Sequence, residues 1–197
     1  SEMCIRDSAY AARDKFIADL DYTNRISHML ASETALNIAD KINSKKAIKS
    51  LSTISEAIHK DTVYITVVDK DRMAVSLIYS IFHSFGSGIA SDKYGILFQN
   101  RGAGFTLEQD HPNELAGGKR PMHTIIPGML AERGRVTMPF GVMGGGYQPK
   151  GHARLLSNML DFDLNIQEAI DGPRSFYENG VLKLERGYVS NVRQQLV

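Results

Sequence analysis

The sequence predicts an α+β protein, and three observations lead there. First, residues 62–68 are β-branched and aromatic, Asp69, Lys70, Asp71 and Arg72 supply turn chemistry, and residues 73–81 return as a second apolar run, the pattern of a β-hairpin. Second, the pattern recurs at residues 129–131 and 135–142 around Glu132-Arg133-Gly134, and at residues 174–177 and 181–185 around Asn179-Gly180, where Asn-Gly is a strong hairpin signal. Third, helical periodicity separates these hairpins: Ala153, Leu155, Leu156, Met159 and Leu160 place a helix over residues 148–162.

The remaining elements follow in order. Residues 8–21 mix polar and apolar positions and suit a short helix. Ala35, Ile38, Ala39 and Ile42 recur at helical spacing, with Ser32 placed to cap the start. Residues 43–54 are rich in lysine and serine and read as a solvated linker. Counting outward from a hairpin turn centred on Lys70 and Asp71 sets Thr62 opposite Tyr79, with Ser80 one step away. A glycine-rich bend at residues 83–88 precedes a short strand at residues 95–99. Gly86 and Gly88 form no phosphate-binding loop, because no helix with a third glycine follows at the required distance. Residues 106–118 form a long loop that carries an exposed His111, and residues 165–170 begin a short helix that Gly172-Pro173 ends.

Composition narrows the function. Of 197 residues, 43% are hydrophobic and 23% charged, as in an ordinary globular chain, and a net charge of +1 gives no reason to expect nucleic acid or an anionic membrane. Cys4 is the single cysteine, which excludes an internal disulfide and a cysteine-ligated metal. The six histidines do not fall at ligand spacing with acidic partners, so no metal or other cofactor is expected. No apolar run approaches the length of a membrane helix, and the first eight residues lack the apolar segment of a signal peptide; the compartment stays open, with the cytoplasm favoured.

On residue type alone, Thr62 is a good strand former and nothing more. One circumstance would change its chemistry. A threonine hydroxyl is a weak nucleophile until a base stands beside it, and a free α-amino group, with a reference pKa of roughly 7.7–8.0, is such a base near neutral pH. Scission between Asp61 and Thr62 would give Thr62 both groups at once. Elsewhere, Arg101 follows a strand in a glycine-rich loop, free either to face solvent or to enter a cavity. Gly144 and Gly145 open onto a helix; they form either a packing turn or a pair of bared N–H donors able to hold an oxyanion.

Three separated pieces, residues 61–89, KRPMHTIIPGM at 119–129, and PFGVMGGGYQP at 139–149 followed by NIQEAIDGPR at 165–174, resemble the gamma-glutamyltransferase family of N-terminal-nucleophile hydrolases, in the family's order and at about its spacing. The resemblance implies an αββα four-layer sandwich, incomplete in this chain. Residues 1–61 would be the tail of a large subunit ending at the cleavage site, Asp61 and Thr62, and residues 62–197 a small catalytic subunit. It further implies Thr62 as nucleophile, Ser80 as the hydroxyl that orients it, Gly144 and Gly145 as the oxyanion donors, and Arg101, Asn100, His123 and Thr124 as substrate contacts. The expected partners are a small-molecule amide and the rest of the large subunit, in a heterodimer or a dimer of heterodimers, with no nucleic acid and no membrane.

Two positions depart from the better-known members. Phe82 stands where they carry an asparagine, and Gly104 where they carry an aspartate that grips the substrate's ammonium. The pieces SIFHSFGSG, FQNRGAGF and RPMHT look closer to a branch that resembles oxamate amidohydrolase, in which Arg101 would bind a small carboxylate. Because it is the family's main activity, cleavage of a gamma-glutamyl amide through a threonyl acyl-enzyme is still the activity the resemblance implies first. A small amide such as oxamate is the alternative substrate, and an unprocessed fragment that only binds is the alternative of a different class.

Overall fold

The computed structural model describes residues 2–43, 62–178 and 181–196. The expected linker, Asp61 and the Asn179-Gly180 turn lie outside the described residues.

Three antiparallel hairpins and six helices make up the described chain. Helix α1, Glu2–Phe16, extends further towards the N-terminus than expected, and short helices α2, Ile26–Met29, and α3, Ser32–Ala39, follow it. Ser32 is the first helical residue of α3 rather than its cap; Ala31 takes the cap position, and Ile42 lies beyond the helix. None of α3 is buried, so its apolar spacing meets no core among the described residues.

Strands β1, Thr62–Val68, and β2, Ala74–Ser80, form the first hairpin. The register differs by one from expectation: Thr62 pairs with Ser80, and Val63 with Tyr79. The reason is the loop. Asp69 to Met73 is a five-residue connection in which Asp69 Oδ1 accepts the backbone N–H groups of Asp71 and Met73 at 2.9 and 2.8 Å, and Arg72 takes φ 65°. An odd number of loop residues centres the turn on Asp71 alone and moves every pair by one. Thr62 and Ser80 thereby share one face with Tyr64, Ser76 and the buried Ile78. The opposite face shows Val63, Ile65, Val67, Val75, Leu77 and Tyr79, all exposed.

The expected strand at residues 95–99 is not present; an isolated Ala90–Leu97 bridge stands in its place. Strands β3, Gly128–Glu132, and β4, Arg135–Phe140, join through Arg133 and Gly134 at φ 51° and 79°, a two-residue turn with both φ positive. The end of β4 reaches the covered face of the first hairpin. Ser76 Oγ donates to the Phe140 carbonyl at 3.3 Å and lies 3.2 Å from the Tyr64 hydroxyl. A Cβ on Gly141 would stand 2.5 Å from the Tyr64 ring, so this approach requires glycine.

Helix α4, Gln148–Leu160, carries the expected periodicity. Helix α5, Ile166–Asp171, starts on a capping box in which Asn165 accepts from Glu168 N–H at 3.0 Å and Glu168 returns the bond to Asn165 N–H at 3.0 Å. Strands β5, Ser175–Glu178, and β6, Val181–Leu184, form the third hairpin, and helix α6, Ser190–Gln195, which the sequence did not suggest, ends the described chain.

Candidate active site

The register of the first hairpin brings two hydroxyls together. Thr62 Oγ1 donates to Ser80 Oγ at 3.1 Å, and Thr62 is only 6% exposed. Ser80 Oγ also accepts the Phe82 N–H at 3.0 Å. That bond fixes a bend in which Phe82 takes φ 76°, a region unusual for a bulky residue. The bend turns the Phe82 ring beneath the Arg101 guanidinium, whose carbon stands 4.9 Å from the ring centroid.

Arg101 opens a 3-10 turn, Arg101–Gly104, and at 8% exposed it is buried rather than solvated. Its Nη1 donates to Thr124 Oγ1 at 2.9 Å. Among the described residues no carboxylate pairs with this guanidinium, and burial pushes its pKa down. His123 lies beside it, exposed at its edge, with Nδ1 accepting the Ile125 N–H at 3.2 Å. Partial burial, and then the positive charge of Arg101, lower the His123 pKa. Asn100 behaves otherwise than as a free substrate contact. Its Oδ1 accepts the His83 N–H at 3.0 Å and its Nδ2 lies 2.8 Å from His83 Nδ1, so both ends of the amide hold the bend after Phe82.

Gly144 and Gly145 lie between β4 and α4, just past the point where Gly141 touches Tyr64. Both have positive φ, 116° and 56°, and neither N–H has a partner among the described residues. The Gly146 carbonyl beside them is held from α1, by Tyr10 Oη at 2.5 Å and Arg13 Nη1 at 3.4 Å.

Three buried polar side chains that the sequence did not single out surround these residues. Asp19 takes Arg120 Nη2 at 3.1 Å and the Arg120 N–H at 2.9 Å, and the Arg120 guanidinium lowers its pKa to about 2. Asn113 accepts the Met122 N–H on Oδ1 at 2.8 Å and donates from Nδ2 to the Gly104 carbonyl at 2.7 Å. Gln148, 1% exposed, accepts the Ile126 N–H at 3.2 Å. His111, expected in solvent, is partly buried: Nδ1 accepts the Asn113 N–H at 2.9 Å and Nε2 lies 3.0 Å from the Asp14 carbonyl. No local pattern announces these partners, which lie up to 101 residues apart.

No group of three or more potential metal ligands occurs among the described residues, and no helix there is long and apolar enough to cross a membrane.

Comparison with known proteins places the chain among relatives. The chain is 36% identical over 167 residues to the oxamate amidohydrolase proenzyme of Klebsiella pneumoniae and 32% identical over 167 residues to the glutathione hydrolase-like YwrD proenzyme of Bacillus subtilis. Each alignment covers 84% of this chain and 31% of the relative, so the chain spans about a third of the length of these relatives. The crystal structure of cephalosporin acylase from Bacillus halodurans superposes with a TM-score of 0.81 at 35% identity, over 95% of this chain and 34% of that one. The fold is thus α+β, an incomplete portion of the αββα sandwich of the N-terminal-nucleophile hydrolases. A model of one enzyme family, described as gamma-glutamyltranspeptidase, matches residues 6–197, and by that match and these relatives the chain belongs to the gamma-glutamyltranspeptidase family.

Proposed function

We propose that this chain carries the nucleophile of an N-terminal threonine amidohydrolase whose substrate is an amide with a carboxylate in its acyl part. The observation that supports this reading most is Arg101: a buried cation, bonded to Thr124 and resting on Phe82, with no acidic partner among the described residues. Such a charge is costly unless an anion meets it.

In this reading residues 1–61 end a large subunit and residues 62–197 belong to a small one. The Thr62 hydroxyl attacks the Asp61 carbonyl, the acyl group moves from nitrogen to oxygen, and water opens the ester, leaving Thr62 with a free amine. In turnover that amine takes the hydroxyl proton while Oγ1 bonds to the amide carbon. The N–H groups of Gly144 and Gly145 hold the resulting oxyanion. Collapse breaks the C–N bond, and the leaving nitrogen takes the proton back. Water, deprotonated by the same amine, releases the acid, or an acceptor amine takes the acyl group. Ser80 orients the nucleophile, and Arg101, Thr124 and His123 contact the substrate carboxylate, with Asn100 holding the bend beneath them.

Between substrates, Phe82 and Gly104 leave no polar partner for an ammonium at the two departures, which favours a small carboxylate amide such as oxamate. A gamma-glutamyl amide is the second reading, supported by the relatives named glutathione hydrolase. In the full-length protein, intact mass should show scission between Asp61 and Thr62, and ammonia release from oxamate should exceed glutamate release from glutathione. Thr62→Ala should abolish scission and turnover. Arg101→Ala should raise KM by at least about tenfold with a smaller change in kcat. A wild-type protein that stays uncut, or an unchanged KM in the arginine variant, would defeat the proposal.

A further inference from the structure

We propose that Asn113 is a positioning residue that sets the spacing of the carboxylate site from behind, an inference that rests on the reading of Arg101 given above. Arg101 and Thr124 come from two different segments, the turn at Arg101–Gly104 and the irregular run between Arg120 and β3. They meet at the front through the 2.9 Å bond between Nη1 and Oγ1. Asn113 joins the same two segments at the back. Its Nδ2 donates to Gly104, three residues after Arg101, and its Oδ1 accepts from Met122, two residues before Thr124, at 2.7 and 2.8 Å. The result is a closed ring of bonds running through Arg101, Gly104, Asn113, Met122 and Thr124.

The amide suits the task because one group must both donate and accept, and both roles are filled here. Asn113 is 6% exposed, so removing it leaves a carbonyl and an N–H without partners in a covered place. The backbone that carries this side chain is itself braced. His111 Nδ1 takes its N–H at 2.9 Å, and its carbonyl accepts the Thr106 N–H at 3.0 Å. A Cβ added to Gly104 would come within 3.5 Å of the Met122 carbonyl, so the two segments run close together here, and the Asn113 bonds set the separation that the Arg101–Thr124 pair spans. Asn113 touches neither the substrate nor Thr62 in this scheme; it acts through Arg101.

The test is oxalate binding by calorimetry in the full-length protein, with wild type, Arg101→Ala, Asn113→Ala and Asn113→Asp. Asp keeps the size and the acceptor for Met122 but cannot donate to Gly104 when ionised, so it gives a reading should the alanine variant fail to fold. Both Asn113 variants should bind oxalate about tenfold more weakly than wild type, the scale of one or two lost buried hydrogen bonds. For oxamate turnover, KM should rise about tenfold with a much smaller change in kcat. A folded Asn113 variant with wild-type oxalate affinity would overturn the proposal and leave the Arg101 reading standing. Wild type and Arg101→Ala binding oxalate equally would remove the carboxylate reading, and this proposal with it.

Discussion

The hydroxyls of Thr62 and Ser80 lie 3.1 Å apart as direct cross-strand partners. Because the Ser80 oxygen accepts both from Thr62 and from the Phe82 N–H, one atom ties the proposed nucleophile to the bend that carries the floor of the Arg101 site. Ser80→Ala should lower kcat by about tenfold or more, as loss of a bond that orients a nucleophile does, whereas Ser80→Thr, which keeps the hydroxyl, should retain most activity. Steady-state kinetics of the two variants check this; equal losses would argue against the hydroxyl.

Gly144 tests the oxyanion assignment. At φ 116° any side chain strains the turn, and an added Cβ would lie 3.4 Å from the Tyr147 Cβ and Cδ1. Alanine keeps the N–H but cannot hold it at this φ, so Gly144→Ala should turn the donor away and reduce kcat by up to about 100-fold, the scale for losing one oxyanion donor, with KM much less affected. A kcat near wild type in a folded variant would move the oxyanion site elsewhere.

His123 should titrate below the usual histidine range, because partial burial and the Arg101 charge both oppose its protonation. Its folded pKa is depressed, so the unfolded chain binds the proton more readily, and this group's contribution to stability falls as pH drops below the unfolded value of about 6.5. Following the His123 ring by NMR in wild type and in Arg101→Ala should show the midpoint rising in the variant.

The Asp19–Arg120 pair predicts an acid response. The Arg120 guanidinium holds Asp19 at about 2, and an unfolded aspartate titrates near 3.9, so the stabilisation is complete above about pH 4 and fades as pH falls towards about 2. Thermal unfolding of wild type and Asp19→Asn should differ most near neutral pH and converge at the acid end. A gap that stays constant across this range would exclude the ion pair as its source.

The parts of this fold that local chemistry decides were legible in the sequence. The first hairpin, the Arg133-Gly134 turn, the apolar stripe of α4 and the stop of α5 at Gly172 each rest on residues within a few positions of one another. What escaped depends on backbone detail or distance. The one-step error at Thr62 came from a loop whose residue count hinges on Arg72 adopting φ 65°, which composition does not reveal. The residues 95–99 have strand composition but find no ladder, and Ser32 has cap chemistry one position too late. The resemblance named Thr62, Ser80, Gly144, Gly145, Arg101, Asn100, His123 and Thr124 as candidates, and the structure bonds Thr62 to Ser80 and Arg101 to Thr124. It could not show that Asn100 is occupied by His83, 17 residues back, or that Asn113 bridges residues nine positions to either side, and the partners of His111 and Asp19, 97 and 101 residues away, leave no local trace at all.

Those distant braces have a topological meaning. Tyr10 and Arg13 hold Gly146, the Asp14 carbonyl meets His111, and Asp19 holds Arg120, so polypeptide from before position 61 grips polypeptide from after it at three places. These bonds link the two stretches independently of the covalent bond between Asp61 and Thr62. Were the chain nicked there, the same bonds would still run between the two new pieces.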